Sequence, residues 1–167
     1  MEQAAETFRH NKVIMRRGLR CWRPAAGAGI KGESMSELDS RNEKIVRHFF
    51  DTLSSGDLEK LRLLLDENAI WGIMATGIQG AGEKHGRKEI IDDFLGPVRG
   101  MFVPGDPKVL IQHLVLQGPY AAVEAKGLGK FKNGKDYNNR YAFFLEIKDD
   151  KVIALREYMD SYYVSTL

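Results

Sequence analysis

Apolar residues between Ile45 and Val98 recur at intervals of three and four, whereas from Lys108 to Tyr163 they fall at every second position. A chain with that change of period places helices first and strands last, and it must bury a helix stripe against one face of a sheet. Strands are expected at about 108–117, 120–131, 137–147 and 152–163, with a shorter one at 69–74. Asn133-Gly134 between two of them is a strong short hairpin signal, because a two-residue type I′ turn needs positive φ at both central positions. Ser40-Arg41-Asn42-Glu43 has the form of a capping box and predicts the start of the first helix, with Ile45, Val46, Phe49, Phe50 and Leu53 on its buried side. Asp57 caps a second helix. A third runs from about Arg87, broken or kinked at Gly96-Pro97, where proline lacks a donor and crowds the preceding turn. The expected fold is α+β: three N-terminal helices closing the concave side of one curved antiparallel sheet.

With 167 residues, 43% of them hydrophobic, the chain has the length of one domain with a real core. Its 25 basic residues nearly balance 23 acidic ones, so nothing in the charge favours a nucleic acid or an anionic membrane as partner. The lone Cys21 excludes an internal disulfide and a cysteine-built zinc site. No apolar run reaches the roughly 20 residues of a membrane span, and a soluble, cytoplasmic protein is the expectation. The GxGxxG spacing after a strand is missing from the glycine-rich Gly77–Gly86 stretch, so no nucleotide site is assigned there.

Between Thr7 and Gly32 stand seven basic residues and no acidic one, with neither helical nor strand periodicity. Residues 1–38 are therefore read as a disordered arm and 39–167 as the domain. The arm has three readings: an organelle transit peptide, a basic contact arm, or a segment that is not normally translated. Lys31-Gly32-Glu33 requires a purine-rich codon run just ahead of Met35, and this favours Met35 as the true start. N-terminal sequencing of protein from its native host decides between them.

The chemistry sits in the strands. In 137–147 the odd positions Tyr137, Asn139, Tyr141, Phe143, Leu145 and Ile147 form the inner row. A two-residue loop at Asn133-Gly134 sets Phe143 opposite Glu124, Tyr141 opposite Lys126 and Asn139 opposite Leu128, and directly opposed residues share a face. In the last strand Ile153, Leu155, Glu157 and Met159 form the apolar row, with a carboxylate in its middle; Glu157 faces inward if a bulge or odd loop preserves the parity. An unpaired buried carboxylate is disfavoured by several kcal/mol, so Glu157 either pairs with Lys126 to close the sheet's end or lines a pocket. In a pocket, Glu157, Lys126, Glu124 and Tyr141 are the candidate catalytic groups, because desolvation and neighbouring charge tune such residues toward acid–base work. Trp71, Asn139, Phe49, Leu128, Phe143 and Met159 are the candidate substrate-binding residues. His113 is more readily a structural histidine than a catalytic one, and Asp160 lies on the opposite parity.

The segments NEKIVRHFFDTLSSGDLEKL, ENAIW, GRKEIIDDFL, YNNRYAFFLEI and DKVIALREYMD, in this order and spacing, resemble the SnoaL-like branch of the nuclear-transport-factor-two-like fold over about residues 40–165. That branch includes polyketide cyclases, ketosteroid isomerases and limonene epoxide hydrolases. The resemblance implies a cone-shaped sheet of the cystatin-like type, a deep apolar pocket and a homodimer formed through the sheet. It also implies a cofactor-free, metal-free enzyme acting on a small hydrophobic oxygenated molecule, as an isomerase, cyclase or hydrolase. Non-catalytic ligand binding and a dimerisation module are the alternatives. The second catalytic aspartate of the epoxide hydrolases falls on Glu157, their arginine and aspartate fall on Glu124 and Lys126, and their water-holding tyrosine and asparagine fall on Trp71 and Ile73. The base of the ketosteroid isomerases falls near Ile73, their helix tyrosine near Phe49 and their second carboxyl near Tyr141 or Ala142.

Overall fold

The computed structural model describes residues 34–167. Helix α1 spans Met35–Ser55 and α2 Leu58–Leu64, followed by strands β1 (Leu65–Ile73) and β2 (Gly82–His85). A helical stretch comes next: α3 (Gly86–Lys88), a π-helical segment (Glu89–Leu95) and α4 (Gly96–Gly100). Strands β3 (Lys108–Gln117), β4 (Tyr120–Lys130), β5 (Asp136–Lys148) and β6 (Lys151–Met159) precede a last turn, α5 (Ser161–Ser165). The six strands make one curved mixed sheet in the order β2-β1-β6-β5-β4-β3, in which β1 runs parallel to β6 and all other neighbours are antiparallel. The α+β expectation holds, with β1 as the parallel exception to the expected antiparallel sheet.

Helix α1 begins earlier than expected. Its capping box is Ser34-Met35-Ser36-Glu37, with the Ser34 hydroxyl accepting from the Glu37 N–H and the Glu37 carboxylate accepting from the Ser34 N–H. Residues 35–38, assigned to the arm by composition, are thus the first turn of a helix, and the remainder of the proposed arm, 1–33, lies outside the described residues. At the other predicted break the chain stays helical. The Gly96 N–H bonds to Ile91 O, five residues back, and this wider π turn accommodates Pro97, which has no N–H to give.

Val46, Phe49 and Phe50 on α1, Leu61 on α2 and Ile90 and Ile91 on the π-helical segment pack onto Trp71, Val123, Phe143 and Leu155 of the sheet, each at most 2% exposed. The inner face of the sheet thereby becomes the wall of a largely apolar interior, and any polar group on that face is conspicuous. Asn139 and Glu157 are such groups, at 1% and 7% exposure.

Candidate active site

Glu157 reaches the interior through a bulge. Ile147 pairs with Val152 but Glu146 pairs with Ala154, so Ile153 is an extra residue that keeps Leu155, Glu157 and Met159 on the inner face. The β5–β6 turn is tight, with Asp149 and Asp150 both at positive φ. Glu157 then lies opposite Phe143, and Met159 opposite Tyr141. The Trp71 indole N–H donates to Glu157 Oε2 at 2.8 Å. Burial pushes the Glu157 carboxyl up from 4.5 to about 7, with the Trp71 hydrogen bond pulling the other way. A carboxyl so placed exchanges a proton at neutral pH, which an exposed glutamate does not do.

The β4–β5 hairpin does not form the expected two-residue turn. Only Gly134 takes positive φ, at 89°, and Phe131 closes the loop by accepting from the Gly134 N–H and donating to Lys135 O, each at 2.9 Å. This is a three-residue loop, a type I turn with glycine in the bulge position. It shifts the register by one residue, so Gly127 faces Asn139, Lys126 faces Arg140, Glu124 faces Ala142 and Leu128 faces Asn138. A one-residue shift turns a whole strand over. Glu124, Lys126 and Leu128 consequently lie on the outer face of the sheet, not in the interior, and neither the inward acidic–basic set nor the Glu157–Lys126 pair forms. Glu124 instead bonds to His113 Nδ1 at 2.7 Å on the exposed outer surface.

The inner residues of β4 are now Ala121, Val123, Ala125 and Gly127, with Gly129 continuing the row, and their small size makes room for β5. Tyr137 and Tyr141 fill that room and hydrogen-bond to one another through their hydroxyls. Asn139 Nδ2 donates to the Tyr137 hydroxyl at 3.2 Å. Desolvation, reinforced by the nearby Glu157 charge, holds the Tyr141 phenol well above the ordinary tyrosine value, and burial raises Tyr137 in the same way. Both remain protonated donors at neutral pH. Tyr137 was absent from the expected site, although it shares the inner row; its signal is the i, i+2, i+4 run Tyr137, Asn139, Tyr141. A Cβ on Gly127 would lie 2.7 Å from Tyr141 Cε2 and 3.1 Å from Tyr137 Cε1. Gly127→Ala is therefore expected to displace the phenols and cost about 1–3 kcal/mol, read by urea unfolding.

The aromatic residues differ in role. Trp71 is 2% exposed and sits between Phe49 and Phe94, with ring centroids 6.1 Å from each. Phe49 and Phe143 are core residues backing the site; Phe143 stacks on Tyr141 at 5.1 Å and meets Phe50 at 5.0 Å. Tyr141, Met159 and Phe94 are only half-buried, whereas Glu157 itself is enclosed. A separate groove of about 510 Å³ lies between α1 and β3, lined by residues including Arg47, Asp51, Ser54 and Lys108. None of the expected site residues lines it. Asp160 caps α5 by accepting from the Tyr163 N–H at 2.9 Å. Among the described residues no group of three His, Cys, Asp or Glu side chains is placed to hold a metal ion, and no helix is long and apolar enough to cross a membrane.

Residues 46–155 match the family described as the SnoaL-like domain. The chain belongs to this family. As a SnoaL-like protein it has the fold of several solved structures. Bal32a, from a soil-derived mobile gene cassette, is 25% identical, with a TM-score of 0.66 over 75% of this chain and 94% of its own. A putative SnoaL-like polyketide cyclase from Jannaschia sp. CCS1 is 18% identical, with a TM-score of 0.64 over 81% of this chain and 96% of its own. TerC, co-crystallised with polyporic acid, is 16% identical, with a TM-score of 0.67 over 76% of this chain and 97% of its own. No curated protein matches this SnoaL-like chain.

Proposed function

We propose that this SnoaL-like protein is a cofactor-free acid–base catalyst for a small hydrophobic oxygenated molecule. In this reading the substrate lies in the interior against Met159, Phe94 and Tyr141. Glu157 takes a proton from it or gives one to it, and the Tyr141 hydroxyl donates to the substrate oxygen on which negative charge develops. The observation that carries the reading is a buried carboxyl, titrating at about 7, near enough to a hydrogen-bonded pair of phenols to raise both of them, in an otherwise apolar interior. Isomerisation, cyclisation and hydration all use that pair of roles, and the co-crystallised ligand of TerC supports an oxygenated organic molecule as the class. Non-catalytic binding of the same class of molecule is the second reading; it is favoured by the tight enclosure of Glu157. The outer face, with Phe144 and Tyr158 exposed at 48% and 40% and Val115 at 66%, suits a homodimer formed through the sheet.

Screening apolar ketones, phenols and epoxides by thermal shift tests the reading, since a ligand at 100 times its Kd adds about 2.7 kcal/mol of stability. For a ligand that is turned over, Glu157→Gln is expected to keep binding and lose about 10²- to 10⁴-fold in rate. Lys126→Ala and Glu124→Ala, on the outer face, are expected to retain the wild-type rate. Equal turnover by wild type and Glu157→Gln removes Glu157 from the mechanism.

A further inference from the structure

The two phenols and the buried amide form a hydrogen-bonded chain whose amide end is fixed by chemistry. Asn139 is 1% exposed. Its Oδ1 accepts from the Arg140 N–H at 2.8 Å and from the Asp160 N–H at 3.3 Å. A backbone N–H can only donate, so the atom facing these two groups must be the amide oxygen, and the amide nitrogen must face Tyr137. That nitrogen can also only donate. The Tyr137 oxygen therefore accepts from Asn139, while in the bond between the two phenols either oxygen can be the donor. When Tyr137 donates to Tyr141 the chain runs Asn139, Tyr137, Tyr141, and the hydroxyl proton left over is the one on Tyr141.

We propose that Asn139 is a positioning residue that sets this direction, presenting the Tyr141 proton to an oxygen entering the interior, and that the C-terminal turn holds Asn139 in place. The inference rests on the reading of Tyr141 as the donor to the substrate oxygen. Each donor along such a chain polarises the next, so Tyr141 is a stronger donor than the same phenol without Tyr137 donating to it. The anchor of the chain is outside the sheet. Asp160 supplies one of the two N–H groups that hold Asn139 Oδ1 and also caps α5. From α5, Tyr163 returns to β5, its hydroxyl donating to Asp136 O at 3.1 Å and accepting from the Asn138 N–H at 3.0 Å. The segment 160–163 thus clasps β5 on both sides of Tyr137. Gly127 across the ladder leaves the space the two rings occupy.

Asn139→Asp is nearly isosteric and reverses the chain. The introduced carboxylate still accepts from Arg140 and Asp160, but it accepts from Tyr137 as well. Tyr137 then accepts from Tyr141, and the outward proton is lost. With 2,4-dinitrophenolate as the probe anion, Asn139→Asp is expected to bind at least tenfold more weakly than wild type at pH 8, approaching the loss in Tyr141→Phe. The double variant should lose no more than Tyr141→Phe alone. The gap should close as pH falls and the introduced carboxyl protonates, because a carboxylic acid can donate where the amide did; plain repulsion of the probe by the carboxylate closes the gap too but persists in the double variant, so a double variant weaker than Tyr141→Phe overturns the inference. Wild-type affinity in Asn139→Asp, with Tyr141→Phe impaired, overturns this inference and leaves the acid–base reading standing. Unimpaired binding by Tyr141→Phe overturns both. The proton's location can also be read without a ligand, or should the variant not fold. In protein with labelled tyrosine rings, the bridging hydroxyl proton is expected to correlate with the Tyr137 ring, and its correlation with Tyr141 in the wild type overturns the inference.

Discussion

Glu157→Gln is expected to flatten the dependence of stability on pH and to make the protein more stable than wild type at pH 8. The folded carboxyl titrates at about 7 against 4.5 for its ordinary value. Below pH 4.5 both folded and unfolded states carry the proton, and burial of a neutral carboxyl carries no ionic penalty. As pH rises from 4.5 to 7 the unfolded chain ionises first, so stability falls through that window and levels off once the folded group ionises too. At 1.36 kcal/mol per pKa unit the loss is about 3 kcal/mol. Glutamine has no proton to lose, so the variant's stability is unaffected by this titration. Its new amide N–H groups carry their own cost where they find no acceptor, so the change in slope between pH 5 and pH 8 is the diagnostic quantity, more than the offset. Urea unfolding at several pH values checks it, and parallel curves for wild type and variant would sink the assignment of a raised pKa. A side chain that destabilises the fold at neutral pH and is nonetheless built into the core is accounted for by chemistry at that position more readily than by packing.

Two kinds of information in the sequence led to opposite outcomes. Periodicity located the four C-terminal strands to within a few residues and gave the inner rows of β5 and β6, because each of those rows is strongly apolar on one side. The relation between strands was not legible from the turn alone. Asn133-Gly134 is compatible with both a two-residue and a three-residue loop, and the choice decides which face of β4 is inside. Burial decides it: the row Ala121, Val123, Ala125 fits beneath β5, and Phe131 stacks on Phe102 at 4.1 Å. The alternative would bury Glu124, Lys126 and Lys130. The pattern of β4 itself thus held the correct register, and the hairpin preference concealed it. Similarly, both Ser34-Met35-Ser36-Glu37 and Ser40-Arg41-Asn42-Glu43 have the capping-box form. The first begins the helix, and Asn42 in the second is buried and donates to Gly118 O at 2.7 Å. The shared face of the two phenols was legible in the run Tyr137, Asn139, Tyr141, but the room for them to meet was not, since it depends on Gly127 lying across from Asn139.

Trp71→Phe is expected to show whether the indole serves the carboxylate or only fills space. Phenylalanine keeps a ring between Phe49 and Phe94 but removes the N–H that Glu157 accepts at 2.8 Å. The smaller ring costs packing at every pH. The missing hydrogen bond matters most when Glu157 is ionised, because bonds to charged groups contribute about 1.5–3 kcal/mol. The variant should therefore lose about 3 kcal/mol or more at pH 8 and distinctly less at pH 5, with the Glu157 carboxyl displaced further upward. Combining Trp71→Phe with Glu157→Gln separates the two contributions. A coupling energy between these positions that is large at pH 8 and small at pH 5 means the indole stabilises the charged form. A coupling independent of pH means that Trp71 is a core residue whose N–H happens to find an acceptor, and the carboxylate must then be held by other means.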